Sequence, residues 1–301
     1  MHRWLIYSLI TIVLFGFWGF VSTVVTRDVA PLTVQVLSTI GLLPVALVLA
    51  FSKNLYKGSN FGKGILFATA TGVLGGSGNI AMYKALQLGG EGSAVVPLTG
   101  MYPLVTVALA AFLLKERLNR IQTAGFGLAL AAIYLFSPRE SLGAAANWRS
   151  LLSAWMVYSL TALVLFGLSS ICMKFATHHI SDELSTIFYT FGYILIAAVI
   201  IAAESTEWHL SKKAWSLGIL VGLLMAAATL TLFIAYRWGK ASVVTPLVAL
   251  YPLVTVVLAG LFLNEHFDLI KVAAIVLALM AGLALSMEGK SVAPVPTPLG
   301  P

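Results

Sequence analysis

Asn79 and Tyr83 place an amide and a phenol one helical turn apart in an otherwise apolar stretch, where each needs a partner that lipid does not supply. With Gly72 and Gly76 they fall at i, i+4, i+7 and i+11 and share one helix face, and 150 residues on Gly222, Ala226, Thr229 and Phe233 repeat the pattern. A second stripe, Thr99, Tyr102 and Thr106, returns as Tyr251 and Thr255. A third, Thr11, Phe15, Trp18 and Ser22, is answered by Ala162, Phe166, Ser169 and Met173. From these the candidate solute-binding set is Trp18, Asn79, Tyr83, Thr99, Tyr102, Thr106, Ser169, Thr229, Tyr251 and Thr255. All are uncharged hydroxyl, amide and aromatic groups, suited to holding a small neutral or zwitterionic molecule. Each also has a packing explanation, since small residues let helices approach and hydroxyls tie neighbours together. Trp18 lies too deep for an interfacial belt, so it either packs between helices or offers a stacking face.

What the spans lack narrows the chemistry. They hold no carboxylate to serve as a buried proton site, and no cluster of basic residues at mid-depth to hold a multiply charged phosphate. Gly75-Gly76-Ser77-Gly78 matches the G-x-S-G pattern of an intramembrane serine protease, but His2, His178, His179, His209 and His266 all fall in loops or helix ends. Without a histidine at its own depth Ser77 has no base, so that reading stays remote and no enzyme activity is expected. Cys172 is the single cysteine and has no partners at metal-ligand spacing, so neither metal nor cofactor is expected.

These residues must be carried by membrane spans. Of 301 residues 59% are hydrophobic and 10% charged, and the mean hydropathy is +0.96, too apolar for a water-soluble core. Ten apolar stretches approach the roughly 20 residues a crossing helix needs: 4–26, 29–51, 64–84, 92–114, 121–137, 150–173, 184–203, 214–236, 241–263 and 271–287. The first runs past the length of a signal-peptide core and reads as a retained helix. The net charge of +7 lies between spans, so it orients the chain rather than recruiting nucleic acid. Eleven Lys and Arg fall on the side of the N-terminus and seven on the other, which predicts both termini in the cytoplasm of a cell (inner) membrane protein.

The chain is also written twice. Residues 95–116 and 244–265 agree at 13 of 22 positions, including the shared Tyr-Pro-Leu-Val-Thr-Val run. Tyr7-Ser8-Leu9 and Val13-Leu14-Phe15-Gly16 recur as Tyr158-Ser159-Leu160 and Val164-Leu165-Phe166-Gly167. Five spans per copy is an odd number, so the second copy enters the membrane upside down. The expected fold is an all-α integral membrane protein of ten transmembrane helices in two inverted five-helix repeats, residues 1–138 and 150–288, joined by 139–149 and followed by a disordered Pro-rich tail, 289–301. Pro103 and Pro252, mid-span, predict kinks, whereas Pro97 and Pro246 sit in first turns. Glu116 and Glu265, matched by the repeat at opposite faces, are candidate gates or solvated helix ends. Ala274, Ala278, Ala281 and Gly282 give the last helix a small-residue surface for a homodimer or for internal packing.

The Trp18-Gly19 pair, the proline-containing fourth span ending in Leu114-Lys115-Glu116-Arg117-Leu118, and its return in the second half resemble the EamA-type branch of the drug/metabolite transporter superfamily. The second motif departs to Leu263-Asn264-Glu265-His266-Phe267, keeping the glutamate and losing the arginine. The resemblance implies ten spans, cytoplasmic termini and a cavity built by helices 1–4 and 6–9, with helices 5 and 10 peripheral. It implies an alternating-access carrier, for which export or exchange of amino acids or related compounds is the first expectation. An organic-anion or sugar-phosphate exchanger, or a drug exporter of the same fold, is the alternative. A channel would show a ring of charges or carbonyls, and none is readable.

Overall fold

A computed structural model describes residues 3–105, 108–109, 119–136, 153–203, 210–238, 244 and 247–287. Their regular structure is helical: α1 (Arg3–Val25), α2 (Pro31–Ala50), α3 (Phe61–Gln87), α4 (Gly92–Gly100), α5 (Arg120–Phe136), α6 (Ala154–Thr177), α7 (Asp182–Ala203), α8 (Lys212–Trp238), α9 (Tyr251–Phe262) and α10 (Leu269–Ser286). α1, α2, α3, α6, α7 and α8 are long and apolar enough to cross a membrane, and the other four are shorter apolar helices. The connection 139–149, the tail 289–301, Thr106 and Glu116 lie outside the described residues.

Helix starts are set at repeat-equivalent positions. Asn60 accepts from the Lys63 N–H at 3.1 Å to open α3, and its counterpart Ser211 accepts from Ala214 at 3.1 Å to open α8. Asn119 accepts from Gln122 at 2.7 Å before α5, and its counterpart Asp268 accepts from Lys271 at 2.7 Å before α10. Each satisfies an N–H that the first helical turn leaves without an intrahelical acceptor.

The halves interlock by exchange. α3 of the first copy packs on α6 and α7, just as α8 of the second packs on α1 and α2. Glycines permit the closest crossings: a β-carbon on Gly41 would stand 2.8 Å from the Gly222 Cα, and one on Gly192 would stand 2.8 Å from the Gly72 Cα. Likewise a β-carbon on Gly16 would meet the Tyr251 carbonyl at 3.2 Å, and one on Gly167 the Tyr102 carbonyl at 3.0 Å. Backbones this close maximise dispersion contact, which must hold helices together where lipid removes the hydrophobic drive. α5 and α10 pack on each other to one side, with Ala129 and Ala132 facing Ala274, Ala278 and Ala281, all buried. Those three small residues of α10 are therefore occupied by internal packing, and its outer face exposes Val272, Val276 and Met280.

The two prolines do more than bend their helices. α4 stops at Gly100 and the chain turns through Met101 and Tyr102 before Pro103; α9 starts at Tyr251, after a turn through Ala249 and Leu250, so Pro252 sits in a first turn. The expected kinks are breaks. The i→i−3 bonds Leu104 N–H to Met101 O at 2.8 Å and Leu253 N–H to Leu250 O at 3.0 Å tighten the chain at matching places. A proline both lacks the N–H to continue the ladder and disfavours helical backbone in the residue before it.

Contacts between helix ends group the loops. Gly58 bridges Ile180, joining the segments after α2 and after α6. Asp28 and Val29 line a small cavity with Ser211 and Lys213, joining the segments after α1 and before α8. Gly92 and Ser93 bond to Glu265, and the Asn119 amide donates to the Met287 carbonyl at 2.9 Å. The Arg3 guanidinium lies 4.9 Å from the Trp238 ring centre.

Candidate functional site

Where α1, α2, α3, α7 and α8 converge, polar side chains gather in the buried interior. α7 contributes Tyr189 and Tyr193, one turn apart; the Tyr189 hydroxyl donates to that of Tyr193 at 2.9 Å, and the Asn79 amide of α3 donates to the same oxygen at 2.9 Å. Thr229 of α8 is buried beside Tyr189. One turn further along α3, the Tyr83 hydroxyl faces Ser38 of α2 and Trp18 and Ser22 of α1. Gln35, one turn before Ser38, places its amide nitrogen 3.2 Å from where a β-carbon of Gly76 would be, with the Tyr193 ring 3.7 Å from the same point. The missing side chain at Gly76 makes room for that carboxamide.

Most of this chemistry is unspent. Trp18 Nε1 and Ser22 Oγ face the Tyr83 hydroxyl without closing a hydrogen bond, and both ends of the Gln35 amide and Asn79 Oδ1 are buried with no partner among the described residues. Burying one such group unpaired costs about 1–3 kcal/mol. Six atoms of five neighbouring residues in that condition mark a place built for something other than stability, and none of the five carries a charge.

The sequence-derived set divides between this cluster and its walls. Trp18, Asn79, Tyr83 and Thr229 belong to the cluster. Ser169 donates to the Thr71 carbonyl at 2.9 Å, tying α6 to α3, and Thr255 donates to the Gly16 carbonyl at 2.8 Å, tying α9 to α1. Thr99 turns back to the Val96 carbonyl at 3.1 Å. Tyr251 is buried with its ring 5.5 Å from that of Phe15, and Tyr102 stands half-buried at the break in the fourth span. Glu265 sits at the bundle end, its side chain 4% exposed, as acceptor for the first turn of α4. Gly75 and Gly78, beside Ser77, abut Ser169 and Phe166, so the glycine run serves helix packing.

Five members of the cluster were missing from that set: Ser22, Gln35, Ser38, Tyr189 and Tyr193. Gln35 is fully buried, and an amide inside an apolar stretch was the signal that could have found it. The repeat explains the lopsided chemistry, since Gln35 and Tyr83 correspond to Thr186 and Phe233 in the other half.

A model of the EamA-like transporter family matches this chain over residues 2–137 and again over 153–287. The chain belongs to the EamA-like transporter family. It is a multi-pass integral membrane protein, and the family's activity is transport. An uncharacterized protein of Methanocaldococcus jannaschii is 30% identical over 137 residues, 46% of this chain and 98% of that protein, which is thus about one copy long. The "uncharacterized transporter in cobO 3′ region" of Sinorhizobium sp. is 25% identical over 122 residues, 39% of this chain and 86% of that one. A solved crystal structure superposes with a TM-score of 0.62 at 20% identity, covering 93% of this chain and 94% of its own, a likeness of fold.

Proposed function

We propose that this EamA-like transporter is an alternating-access carrier for a small uncharged or zwitterionic solute, exporting or exchanging amino acids or related compounds, and that the solute sits at the Gln35, Asn79 and Tyr83 cluster. One observation carries the reading: unpaired buried polar atoms concentrate where the two halves meet. A solute that supplies the missing bonds stabilises the closed form and leaves when the halves part, which is what a carrier must achieve. The absence of Lys and Arg from the cluster residues weighs against a sugar phosphate.

Ten alternating spans in two inverted repeats, with both termini in the cytoplasm of a cell (inner) membrane, complete the proposal. It is supported by the end contacts: Gly58 with Ile180, Asp28 and Val29 with Ser211 and Lys213, Gly92 with Glu265, Asn119 with Met287 and Arg3 with Trp238. Every one joins segments that an up-and-down path of ten helices puts on the same face. A homodimer through α10 would use its exposed Val272, Val276 and Met280.

Counterflow in proteoliposomes tests the function: preloaded unlabelled solute should drive uptake of the same labelled solute, saturably, across a panel of amino acids, sugars and amines. Asn79→Leu and Tyr83→Phe should change its half-saturation. Flux linear in concentration, with no counterflow for any solute, would mean a channel.

A further inference from the structure

We infer that the solute of this site is uncharged where it is held and presents a cis-amide edge, an N–H beside a C=O, to the Gln35 carboxamide. This deepens the uncharged branch of the proposed function, sets the zwitterionic amino acids aside, and rests on the proposed solute site. Gln35 is fully buried, and neither its Oε1 nor its Nε2 has a partner among the described residues. A carboxamide with both ends free offers an acceptor and donors side by side, and its complement offers the same pair reversed. A lone carboxylate would set its second oxygen against Oε1 and a lone ammonium its hydrogens against Nε2, whereas a zwitterion could meet both ends only by burying two charges. Either charge also loses its hydration with no opposite charge in the cluster to replace it.

The neighbours add to the demand. Trp18 Nε1 can only donate and faces the Tyr83 hydroxyl, so the solute brings its second acceptor to this pair. Asn79 uses one end of its amide on Tyr193, leaving the other over whichever way it is turned. The Tyr83 hydroxyl and Ser22 Oγ are adaptable, donating or accepting. An uncharged ring with alternating N–H and C=O groups, such as a cyclic imide, ureide or nucleobase, meets these requirements together. Its flat faces suit a cluster that includes the buried aromatic rings of Trp18, Tyr83 and Tyr193.

The test uses the full-length protein, purified in detergent and in proteoliposomes, with uracil as probe and 1,3-dimethyluracil as the same ring with its N–H groups blocked. Uracil should raise the melting temperature and show counterflow, with the dimethyl compound at least tenfold weaker, because a site built to bond an N–H rejects the analogue lacking it. Gln35→Leu should abolish the difference between the two probes. Equal effects of both on the wild-type protein overturn the inference without any variant having to fold. If alanine is carried and Asn79→Leu and Tyr83→Phe impair it while uracil is ignored, the solute site stands and the amide-edge inference falls. If uracil is preferred but Gln35→Leu, Asn79→Leu and Tyr83→Phe leave that preference intact, the site lies elsewhere and both readings fall.

Discussion

The Glu265 carboxylate accepts from the backbone N–H of Gly92 at 3.0 Å, bringing the segment between α9 and α10 onto the first turn of α4. Its other oxygen accepts from the Ser93 N–H at 3.1 Å and from the Ser93 hydroxyl, and Lys271 stands 3.7 Å away, itself paired with Glu91. A helix N-terminus presents unsatisfied N–H groups and the positive end of the macrodipole, so a carboxylate is the natural partner. Asn264, at φ 52°, takes the left-handed conformation that ends α9 and turns the next residue inward, which asparagine tolerates better than most residues.

Removing that carboxylate leaves two backbone donors without their acceptor. Glu265→Ala should lower stability by about 1–3 kcal/mol, with Glu265→Gln between it and the wild type because an amide oxygen still accepts one bond. Thermal unfolding in detergent gives the ranking. An alanine variant that melts with the wild type would show the contact to be incidental.

The crossings of α2 with α8 and of α7 with α3 should respond alike to added volume. Gly222→Val and Gly72→Val each push a side chain into the opposing helix, near Ser38 and Gly41 in one case and Tyr189 and Gly192 in the other. Each should cost about 1–3 kcal/mol from overpacking. Gly127→Ala is the control: a β-carbon there meets nothing within 4 Å, so the change should be neutral or stabilising. Equal melting of all three variants would remove the symmetric interlock from the account.

Much of this arrangement was legible because it was repeated. Shifts near 150 residues paired Gly72 with Gly222 and Tyr102 with Tyr251, and each pair occupies equivalent contacts in the fold. Asn79 and Tyr83 stood out as polar residues deep in an apolar stretch. What repetition cannot reveal is what one copy does alone. Gln35 faces inward beside Gly76 only because α2 crosses between the halves, and its counterpart Thr186 bonds back to the Asp182 carbonyl at 2.8 Å. For Thr255 the sequence left lining and helix tying open, and its hydroxyl donates to the α1 backbone, because which neighbour a hydroxyl meets depends on helix rotation. The breaks before Pro103 and Pro252 were foreseen as kinks, since a proline alone does not say whether the ladder resumes across it.

Asn79 and Tyr193 should be coupled beyond their separate effects. Their bond of 2.9 Å joins α3 to α7, and Tyr193→Phe leaves a buried amide with neither end satisfied among the described residues. Across Asn79→Leu, Tyr193→Phe and the double variant, an interaction energy of about 0.5–3 kcal/mol is expected. Melting measured with and without the transported solute separates the two consequences: solute protection should fall with Asn79→Leu, whereas the coupling appears even without solute. Strict additivity would mean that the two residues do not work as a pair.

Membrane orientation decides whether the halves are inverted, and single-cysteine labelling measures it. With Cys172→Ala as background, Lys57→Cys probes the exposed segment after α2 and Lys212→Cys the exposed start of α8, the corresponding region of the second copy. In inverted repeats a membrane-impermeant maleimide added to intact cells should reach the cysteine at 212 and not that at 57, and permeabilising the cells should expose both. Glu91→Cys, on the segment whose neighbours Gly92 and Ser93 bond to Glu265, should label together with 212. Labelling of 57 and 212 from the same side would place the two copies in parallel. Two parallel copies cannot exchange inward-open and outward-open forms by swapping conformations, so that result would remove the inverted-repeat basis for alternating access in this chain.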